Sequence, residues 1–252
     1  LFGNSAANSL AGGAGADRLG GLAGNDILEG GAGADELDGG AGFDQASYLG
    51  SVYGVTVNLS AGTGSRGDAV GDTLTGIEAV TGSQAVDVLF GDFGANVLNG
   101  EGGADTLRGY AGNDVLRGGA GADIIEGGGG IDQASYDRSG AGVSINLGNG
   151  MGSGGDAEGD RLSFIENLVG SGFADLLLGD AGANTLEGRN GNDVLRGLAG
   201  NDRLFGGNGN DELFGDFNSD FLAGGAGNDT ISDGAGADTV FGEAGDDFVL
   251  AA

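Results

Sequence analysis

The chain contains no cysteine, no histidine and no proline, and all of its basic residues are arginines. Without cysteine the protein has neither disulfides nor thiolate metal sites. Without histidine, nucleophilic systems of the Ser-His-Asp or Cys-His type are excluded, as are most zinc and iron centres. Without proline, no slow X-Pro isomerisation delays folding. These absences favour a protein that is not an enzyme.

Positive charge is scarce, because 9 basic residues face 38 acidic ones and leave a net charge of −29. Such a balance argues against nucleic acid and against an anionic membrane surface as partners. No apolar run reaches the roughly 18 residues of a membrane span, so we expect no membrane insertion. The repeats continue to the last residues without a capping element, which solenoids need. We therefore expect a segment of a longer protein.

Glycine is abundant, with 62 of 252 residues, and an Asp or Asn recurs every nine residues. We call each Asp or Asn on this period a rung; the ladder has three blocks, which start at Asn8, Asp87 and Asp175. Glycine stands five residues before nineteen of the twenty rungs, and an apolar residue always stands two residues after the rung. A flexible glycine-rich linker has no reason to keep apolar residues in phase, so the period favours a repeat architecture.

The repeated unit reads G-G-x-G-x-D-x-U-x, where U is apolar, as in residues 30–38. Residues around U can form a short strand with one side chain pointing inward, while the glycines allow the positive φ that tight turns need. Two units then make one coil, and stacked coils form two parallel sheets with strands about 4.8 Å apart. The sequence therefore predicts an all-β protein, a right-handed parallel β-roll (a β-helix solenoid), with cations in its turns.

Stacking also places rungs eighteen residues apart in neighbouring turns, where carboxylates meet backbone carbonyls. Such all-oxygen sites suit a hard cation. One cation for each pair of rungs eighteen residues apart gives three, four and seven sites in the three blocks, or about fourteen in total. Fourteen divalent ions carry about +28, which nearly offsets the chain's net charge of −29.

The predicted metal ligands are the rung aspartates together with backbone carbonyls of the glycine-rich turns. The aspartates are Asp17, Asp26, Asp35, Asp44, Asp87, Asp105, Asp114, Asp123, Asp132, Asp175, Asp193, Asp202, Asp211, Asp220, Asp229, Asp238 and Asp247. The three rung asparagines are predicted to be weaker ligands, because an amide oxygen brings no charge. They are Asn8, Asn96 and Asn184.

The ladder is interrupted twice by a segment that repeats at a shift of 88 residues. Residues 43–48 return as residues 131–136, and residues 55–59 return as residues 143–147. We expect one continuous solenoid with the following parts: a first block at 1–47, an irregular β segment at 48–82, a second block at 83–135, an irregular β segment at 136–170 and a third block at 171–252.

Within the irregular segments, valine-rich alternation predicts strands at 55–59 and 143–147. We predict glycine-rich loops at 61–71 and 148–159, and a further strand at 74–80 and at 162–169. The acidic residues of these segments are expected to be solvated loop carboxylates, and the alternative is that they hold extra cations; they are Asp68, Asp72, Asp156 and Asp160. Tyr48 and Tyr136 are expected to pack over a coil end.

The nonapeptides resemble the haemolysin-type calcium-binding repeats of secreted bacterial RTX proteins. The irregular segment, with Tyr48, residues 55–59 and residues 77–78 before a renewed ladder, is similar to the C-terminal region of serralysin-type metalloproteases. The resemblance implies Ca²⁺ as the cation, export by a type I secretion system, and an extracellular or cell-surface location. It implies no activity, since the protease relatives keep catalysis in a separate domain with a His-Glu-x-x-His motif.

The expected function is therefore a calcium-binding, non-catalytic β-roll that folds on calcium binding after export and stabilises a secreted bacterial protein. One alternative is a spacer or contact module of a surface-layer or biofilm adhesin, which the 88-residue repeat favours. Another is a glycan-binding accessory module of a polysaccharide-modifying enzyme. The partners to consider are calcium, the rest of a longer chain, a surface glycan and copies of the same chain, but no nucleic acid.

Overall fold

Each nine-residue unit folds as one short strand and one turn, with the apolar residue U in the strand. Leu19 is the middle residue of the strand Arg18–Gly20, and Leu37 is the middle residue of Glu36–Asp38. The two strands pair in parallel with Leu19 opposite Leu37, eighteen residues later. Two units therefore make one coil, and the predicted all-β parallel roll is confirmed.

The structure, a computed structural model, describes residues 1–251 and comprises two compact units, Leu1–Asp132 and Gln133–Ala252. The first unit contains a 3-10 helix at Gly67–Ala69. Its strands are β1 Ser9–Ala14, β2 Arg18–Gly20, β3 Ile27–Ala32, β4 Glu36–Asp38, β5 Gln45–Ser47, β6 Thr56–Asn58, β7 Thr63–Ser65, β8 Thr73–Thr75, β9 Ala79–Thr81, β10 Val88–Phe90, β11 Val97–Gly102, β12 Thr106–Ala111, β13 Val115–Ala120 and β14 Ile124–Gly129.

Two sheets build the first unit. One has the strand order β1-β3-β5-β9-β11-β13, and the other has the order β2-β4-β8-β7-β6-β10-β12-β14. The pairs are parallel where coils stack, as in β10 with β12. Around β7 they are antiparallel, because the chain of the irregular segment folds back on itself there.

The second unit repeats this plan and contains a 3-10 helix at Gly155–Ala157. Its strands are β15 Gln133–Ser135, β16 Ser144–Asn146, β17 Met151–Ser153, β18 Arg161–Ser163, β19 Asn167–Val169, β20 Leu176–Leu178, β21 Thr185–Asn190, β22 Val194–Arg196, β23 Arg203–Asn208, β24 Glu212–Phe214, β25 Phe221–Ala226, β26 Thr230–Ser232, β27 Thr239–Ala244 and β28 Phe248–Leu250. Its sheets run β15-β19-β21-β23-β25-β27 and β18-β17-β16-β20-β22-β24-β26-β28.

The core of each unit is a stack of U side chains between its two sheets. Most of these side chains are completely buried, and the exceptions lie in the first and the last two repeats, where Leu10 and Val240 are half-buried and Val249 is exposed. The buried members are Leu19, Leu28, Leu37, Ala46, Leu89, Leu98, Leu107, Leu116, Ile125, Ala134, Leu177, Leu186, Leu195, Leu204, Leu213, Leu222 and Ile231. One apolar side chain per strand leaves a thin core, so the turns must contribute to stability.

The irregular segments continue the roll, as β4 pairs with β8, β5 with β9 and β6 with β10 in parallel. The strands predicted at 55–59 and 143–147 are confirmed as β6 and β16. The predicted loops at 61–71 and 148–159 are partly wrong, because each contains a strand and a 3-10 helix.

The single strands predicted at 74–80 and at 162–169 are each two strands in different sheets. Gly76 (φ 58°) and Phe164 (φ 54°) adopt left-handed backbone between the paired strands. Extended backbone cannot pass through this conformation, so the chain leaves one sheet there and enters the other.

Substitution of Gly207 tests how closely successive turns pack. Its φ is +107°, and a Cβ at this position would overlap the carbonyl oxygen of Arg189 in the neighbouring coil. We expect Gly207→Ala to lower the free energy of unfolding by about 1–3 kcal/mol, as measured by urea denaturation in saturating calcium. Gly13→Ala is the matched control, because its φ is +100° and nothing lies within 4 Å of its Cβ position. Equal losses for the two variants would contradict close stacking of the turns.

Candidate metal centre

The rung carboxylates connect adjacent coils through one of their two oxygens. The Asp193 N–H donates a hydrogen bond of 2.8 Å to Oδ1 of Asp211, and the Asp211 N–H donates one of 2.9 Å to Oδ1 of Asp229. The same bond joins other rungs eighteen residues apart, including Asp17 with Asp35, Asp26 with Asp44, and Asp202 with Asp220. Each such carboxylate is therefore fixed in orientation beside the next one in its column.

The second oxygen of many rungs is buried and has no hydrogen-bond partner among the described residues. Burying a carboxylate oxygen without compensation is costly, so native structures rarely leave such atoms unsatisfied. These Oδ2 atoms belong to Asp17, Asp26, Asp35, Asp44, Asp114, Asp193, Asp202, Asp211, Asp220 and Asp229. A cation beside each of these oxygens would supply the missing partner.

Backbone carbonyls approach the same position as these carboxylate oxygens. A Cβ on Gly206, five residues before Asp211, would overlap Asp211 Oδ2 and would lie 2.5 Å from the carbonyl oxygen of Gly224. Gly188 is placed in the same way against Asp193 Oδ2 and the Gly206 carbonyl. Glycine is therefore favoured five residues before the rung, because a side chain would enter the space between the two oxygens; Asp233, before Asp238, is the exception.

The available donors fit calcium. Within residues 1–251, no three acidic side chains come close enough to hold a metal by themselves, so carbonyl oxygens would have to complete any calcium site. Ca²⁺ accepts six to eight oxygen ligands of mixed type in flexible geometry, whereas Mg²⁺ demands a near-ideal octahedron. A carboxylate oxygen beside backbone carbonyls therefore suits Ca²⁺ better than Mg²⁺.

Burial makes these carboxylates hard to ionise without a cation. It raises the pKa of Asp193 to about 7, and the neighbouring Asp175 and Asp211 carboxylates raise this pKa further. Burial also raises the pKa of Asp114, Asp202 and Asp211 to about 6 in each case. At neutral pH the metal-free columns are therefore unfavourable for the folded state.

A pH dependence follows for the metal-free protein. A carboxyl whose pKa is raised by folding binds its proton more tightly in the folded state, so its stabilising contribution is complete below the unfolded value near 4. That contribution is lost as the pH rises through about 6 to 7, the range of the raised pKa values of Asp193, Asp202 and Asp211. In excess chelator we expect strand content, measured by circular dichroism, to be higher at pH 4.5 than at pH 7.5. The opposite order would contradict buried rung carboxyls.

Two rung aspartates are instead satisfied by serine. The Ser83 N–H donates a hydrogen bond of 2.6 Å to Asp87 Oδ2, and Ser83 Oγ lies 3.0 Å from Asp87 Oδ1. Ser171 binds Asp175 in the same way, with distances of 2.6 Å and 2.8 Å. Both serines stand four residues before their rung, a position that is glycine in eight of the twenty units.

The rung asparagines are also bonded within their own turns. The Asp92 N–H donates to Asn96 Oδ1 at 2.7 Å, and the Asp180 N–H donates to Asn184 Oδ1 at 2.8 Å. The Asn184 amide donates in turn to the Glu166 carbonyl at 2.9 Å. Asn8 accepts a similar bond from Asn4.

The structure adds residues to the columns that the nine-residue period misses. The Asp35 N–H donates to Asp72 Oδ1 at 2.8 Å, and the Asp44 N–H donates to Glu78 Oε2 at 2.8 Å. Asp72 and Asp160 are 1% and 0% exposed, so the expectation of solvated loop carboxylates is wrong for both. The signal in the sequence was the apolar residue two positions after the acid, Leu74 after Asp72 and Val80 after Glu78.

A tyrosine hydroxyl donates a hydrogen bond to each of Asp72 and Asp160. The Tyr48 hydroxyl donates to Asp72 Oδ2 at 2.9 Å, and the Tyr136 hydroxyl donates to Asp160 Oδ2 at 2.8 Å. Both tyrosines are buried, as their predicted packing role requires. Burial and the Asp72 carboxylate raise the pKa of Tyr48, so its hydroxyl keeps the proton that it donates.

The repeated turns define a class of protein, a parallel β-roll whose stacked turns present carboxylates and carbonyls to calcium. The family model of the RTX calcium-binding nonapeptide repeat matches residues 1–28, 12–46, 81–113, 100–134, 163–195, 187–222 and 214–249. These matches cover well over half of the chain, so the chain belongs to the RTX calcium-binding nonapeptide repeat family. The search of curated proteins finds no match. Among residues 1–251, no helix is long and apolar enough to cross a membrane.

Proposed function

We propose that this protein is a non-catalytic structural module of a secreted bacterial protein, which folds into its β-roll when calcium binds outside the cell. The observation that carries the proposal is the set of buried Oδ2 atoms without partners, repeated along both columns of turns. The predicted ligands are the rung aspartates from Asp17 to Asp247, with carbonyl oxygens of the glycine-rich turns completing each site. The absence of histidine and cysteine supports a role without catalysis.

The chain's own residues explain the dependence on calcium. Bound calcium supplies the positive charge that the rung carboxylates lack. Without that charge the carboxylates repel one another, and one apolar side chain per strand cannot offset the repulsion and the entropy of ordering the chain. An unfolded chain suits export through a type I channel. Extracellular calcium modules bind at about 10⁻⁴ to 10⁻³ M, so folding would await the extracellular medium.

Calcium binding itself tests the proposal. Equilibrium dialysis of the complete chain is expected to show saturable binding of several Ca²⁺ ions per chain in the millimolar range or below. Magnesium at the same concentration is expected to displace little of this calcium, because Mg²⁺ demands octahedral geometry and dehydrates reluctantly. Binding of less than one Ca²⁺ per chain would overturn the proposal.

One surface of the second unit favours an additional role as a glycan-binding accessory module. The ring centres of Phe205 and Phe221, and those of Phe221 and Phe241, are 5.6 Å apart. The Arg203 guanidinium lies 4.6 Å from the centre of the Phe221 ring. Clustered aromatic rings on an exposed face mark binding surfaces more often than single exposed residues do. Phe205 also lines a surface cleft, to which Glu187 and Arg189 contribute polar groups.

The aromatic surface can be tested without disturbing the calcium columns. Phe241→Ala is expected to weaken retention on immobilised bacterial polysaccharide and to leave calcium stoichiometry unchanged. Phe93→Ala is the matched control, because Phe93 is equally aromatic and more exposed but lies in the first unit. Unchanged retention of the Phe241→Ala variant would remove the support for glycan binding.

A further inference from the structure

We propose that five of the turns are closed by the protein's own hydrogen bonds and bind no calcium, and that the backbone conformation of the residue four positions before the rung distinguishes the two states. This inference rests on the proposed function, because it divides the predicted calcium sites into those that bind and those that do not. We call the two kinds of turn closed and open.

Every closed turn contains the same two hydrogen bonds. The backbone N–H of the residue four before the rung donates to the rung side chain, as Ser171 does to Asp175. The side-chain oxygen of that same residue accepts the N–H two positions later, as Ser171 Oγ does from Phe173 at 3.0 Å. Both bonds occur at Asn4, Ser83, Asp92, Ser171 and Asp180. The rung oxygen that would face a cation is thus already occupied.

An open turn has left-handed backbone at the same position. There φ is positive whether or not the residue is glycine. The open positions are Gly13, Leu22, Gly31, Gly40, Glu101, Tyr110, Gly119, Gly128, Arg189, Leu198, Gly207, Asp216, Gly225, Gly234 and Glu243, with φ between 70° and 119°. Left-handed backbone is unfavourable for a residue such as Leu22 or Tyr110, so the surrounding turn has to enforce it.

Asp216 shows that residue type alone does not close a turn. It is an aspartate like Asp92 and Asp180, yet its φ is 71°. The Arg196 guanidinium binds its carboxylate, with an Nη2–Oδ1 distance of 2.9 Å. The side chain is therefore held outside the turn, and Asp220 Oδ2 remains buried without a hydrogen-bond partner.

The division changes the predicted number of calcium ions. Among the roughly fourteen pairs of rungs eighteen residues apart, five pairs begin with a rung of a closed turn: Asn8, Asp87, Asn96, Asp175 or Asn184. Removing these five leaves about nine sites. The closed turns at Asp87 and Asn96 follow the Tyr48–Asp72 bond directly, so a stretch of turns that needs no cation separates the first two calcium-binding blocks. Asp175 and Asn184 hold the equivalent positions in the second unit.

Substitution of the two serines tests the inference by gain of binding. In the double variant Ser83→Gly/Ser171→Gly each of the two turns loses the hydrogen bonds of the serine side chain and keeps only the backbone N–H donor. Glycine also accepts the left-handed backbone of an open turn. We expect two additional Ca²⁺ ions per chain at saturation, measured by equilibrium dialysis with elemental analysis. Ser219→Gly is the control, because Ser219 lies in an open turn one residue before its rung, and its substitution is expected to leave the count unchanged.

A second pair of variants keeps the test decisive if the double variant does not fold. Asp175→Asn is expected to leave the calcium count unchanged, because the Asp175 carboxylate is bound by Ser171. Asp193→Asn, in the next turn of the same column, is expected to lower the count. A chain that binds about fourteen Ca²⁺ ions and loses binding equally in both variants would overturn this inference and leave the proposed function standing. A chain that binds none would overturn the proposed function itself.

Discussion

Removing calcium at neutral pH is expected to abolish most of the strand signal in the far-UV circular dichroism spectrum of this protein. Each folded unit concentrates buried carboxylates in its stacked turns, and in the second unit burial raises the pKa of Asp193 to about 7 and that of Asp211 to about 6. The proposed function requires that these groups, when ionised and without a cation, oppose folding more strongly than the buried apolar side chains favour it. Unfolding should therefore be general and not confined to the turns.

The experiment compares the spectrum in excess chelator with that in millimolar Ca²⁺ and in equimolar Mg²⁺. Strand signal is expected to return on adding calcium, whereas magnesium is expected to restore little of it. The magnesium sample also serves as the control for ionic strength, since both ions screen surface charge equally. A chain that keeps its full strand signal in chelator would show that the hydrophobic core and hydrogen bonds suffice.

The second large effect is expected from the position of a rung within the stack. Asp211 is buried and connects Asp193 on one side with Asp229 on the other, so Asp211→Ala damages two calcium sites. Asp247, the last rung, accepts its coil-to-coil bond from Asp229 alone among the described contacts, so Asp247→Ala damages at most one. Each site contributes about 2.7 kcal/mol when calcium is 100 times its Kd. Asp211→Ala should therefore cost up to about 5 kcal/mol, twice the largest loss expected for Asp247→Ala.

The measurement is the calcium midpoint of folding, followed by circular dichroism for both variants and the unaltered chain. The midpoint is expected to rise most for Asp211→Ala and less for Asp247→Ala, because interior damage to a stack affects two interfaces. Asp211→Asn is expected to fall between Asp211→Ala and the unaltered chain, since the amide oxygen can ligate without charge. Leu213 stays in place in all variants. Equal midpoints for the two alanine variants would show that the rungs do not bridge coils.

The sequence predicts the repeating part of the fold well, because one nine-residue unit carries all the required chemistry. Leu19 and its counterparts two residues after each rung are the buried core, and their fixed phase identifies both the strand and the direction of its side chain. The pairing of residues eighteen apart follows from two units per coil. Neither feature depends on contacts beyond the neighbouring coil, so local pattern is sufficient.

The irregular segments are predicted less completely, because their contacts join residues at separations that follow no period. Tyr48 binds Asp72, which is 24 residues away, and Asp35 reaches Asp72 across 37 residues. The turn at Gly76 divides what looks like one apolar strand into β8 and β9 of different sheets. The only sequence signal for these contacts is the apolar residue two positions after the acidic one, as Leu74 is after Asp72.

Whether a turn is closed or open is a second feature that the nine-residue period does not predict. Asp87 and Asp105 are both rung aspartates at the same position of the nine-residue unit. Four residues before Asp87, the Ser83 N–H donates a hydrogen bond to its carboxylate. Four residues before Asp105, Glu101 instead has a φ of 76°. A ladder of aspartates therefore predicts candidate ligands, and the backbone four residues earlier distinguishes among them.

The most direct test of calcium-coupled folding is one calcium titration of the complete chain with two simultaneous measurements, bound calcium and strand content. We predict that the two curves coincide and that both reach their plateau at about nine bound Ca²⁺ ions per chain. Strand content that is complete before calcium binds, or calcium that binds without forming strands, would contradict the coupling between the rung carboxylates and the fold.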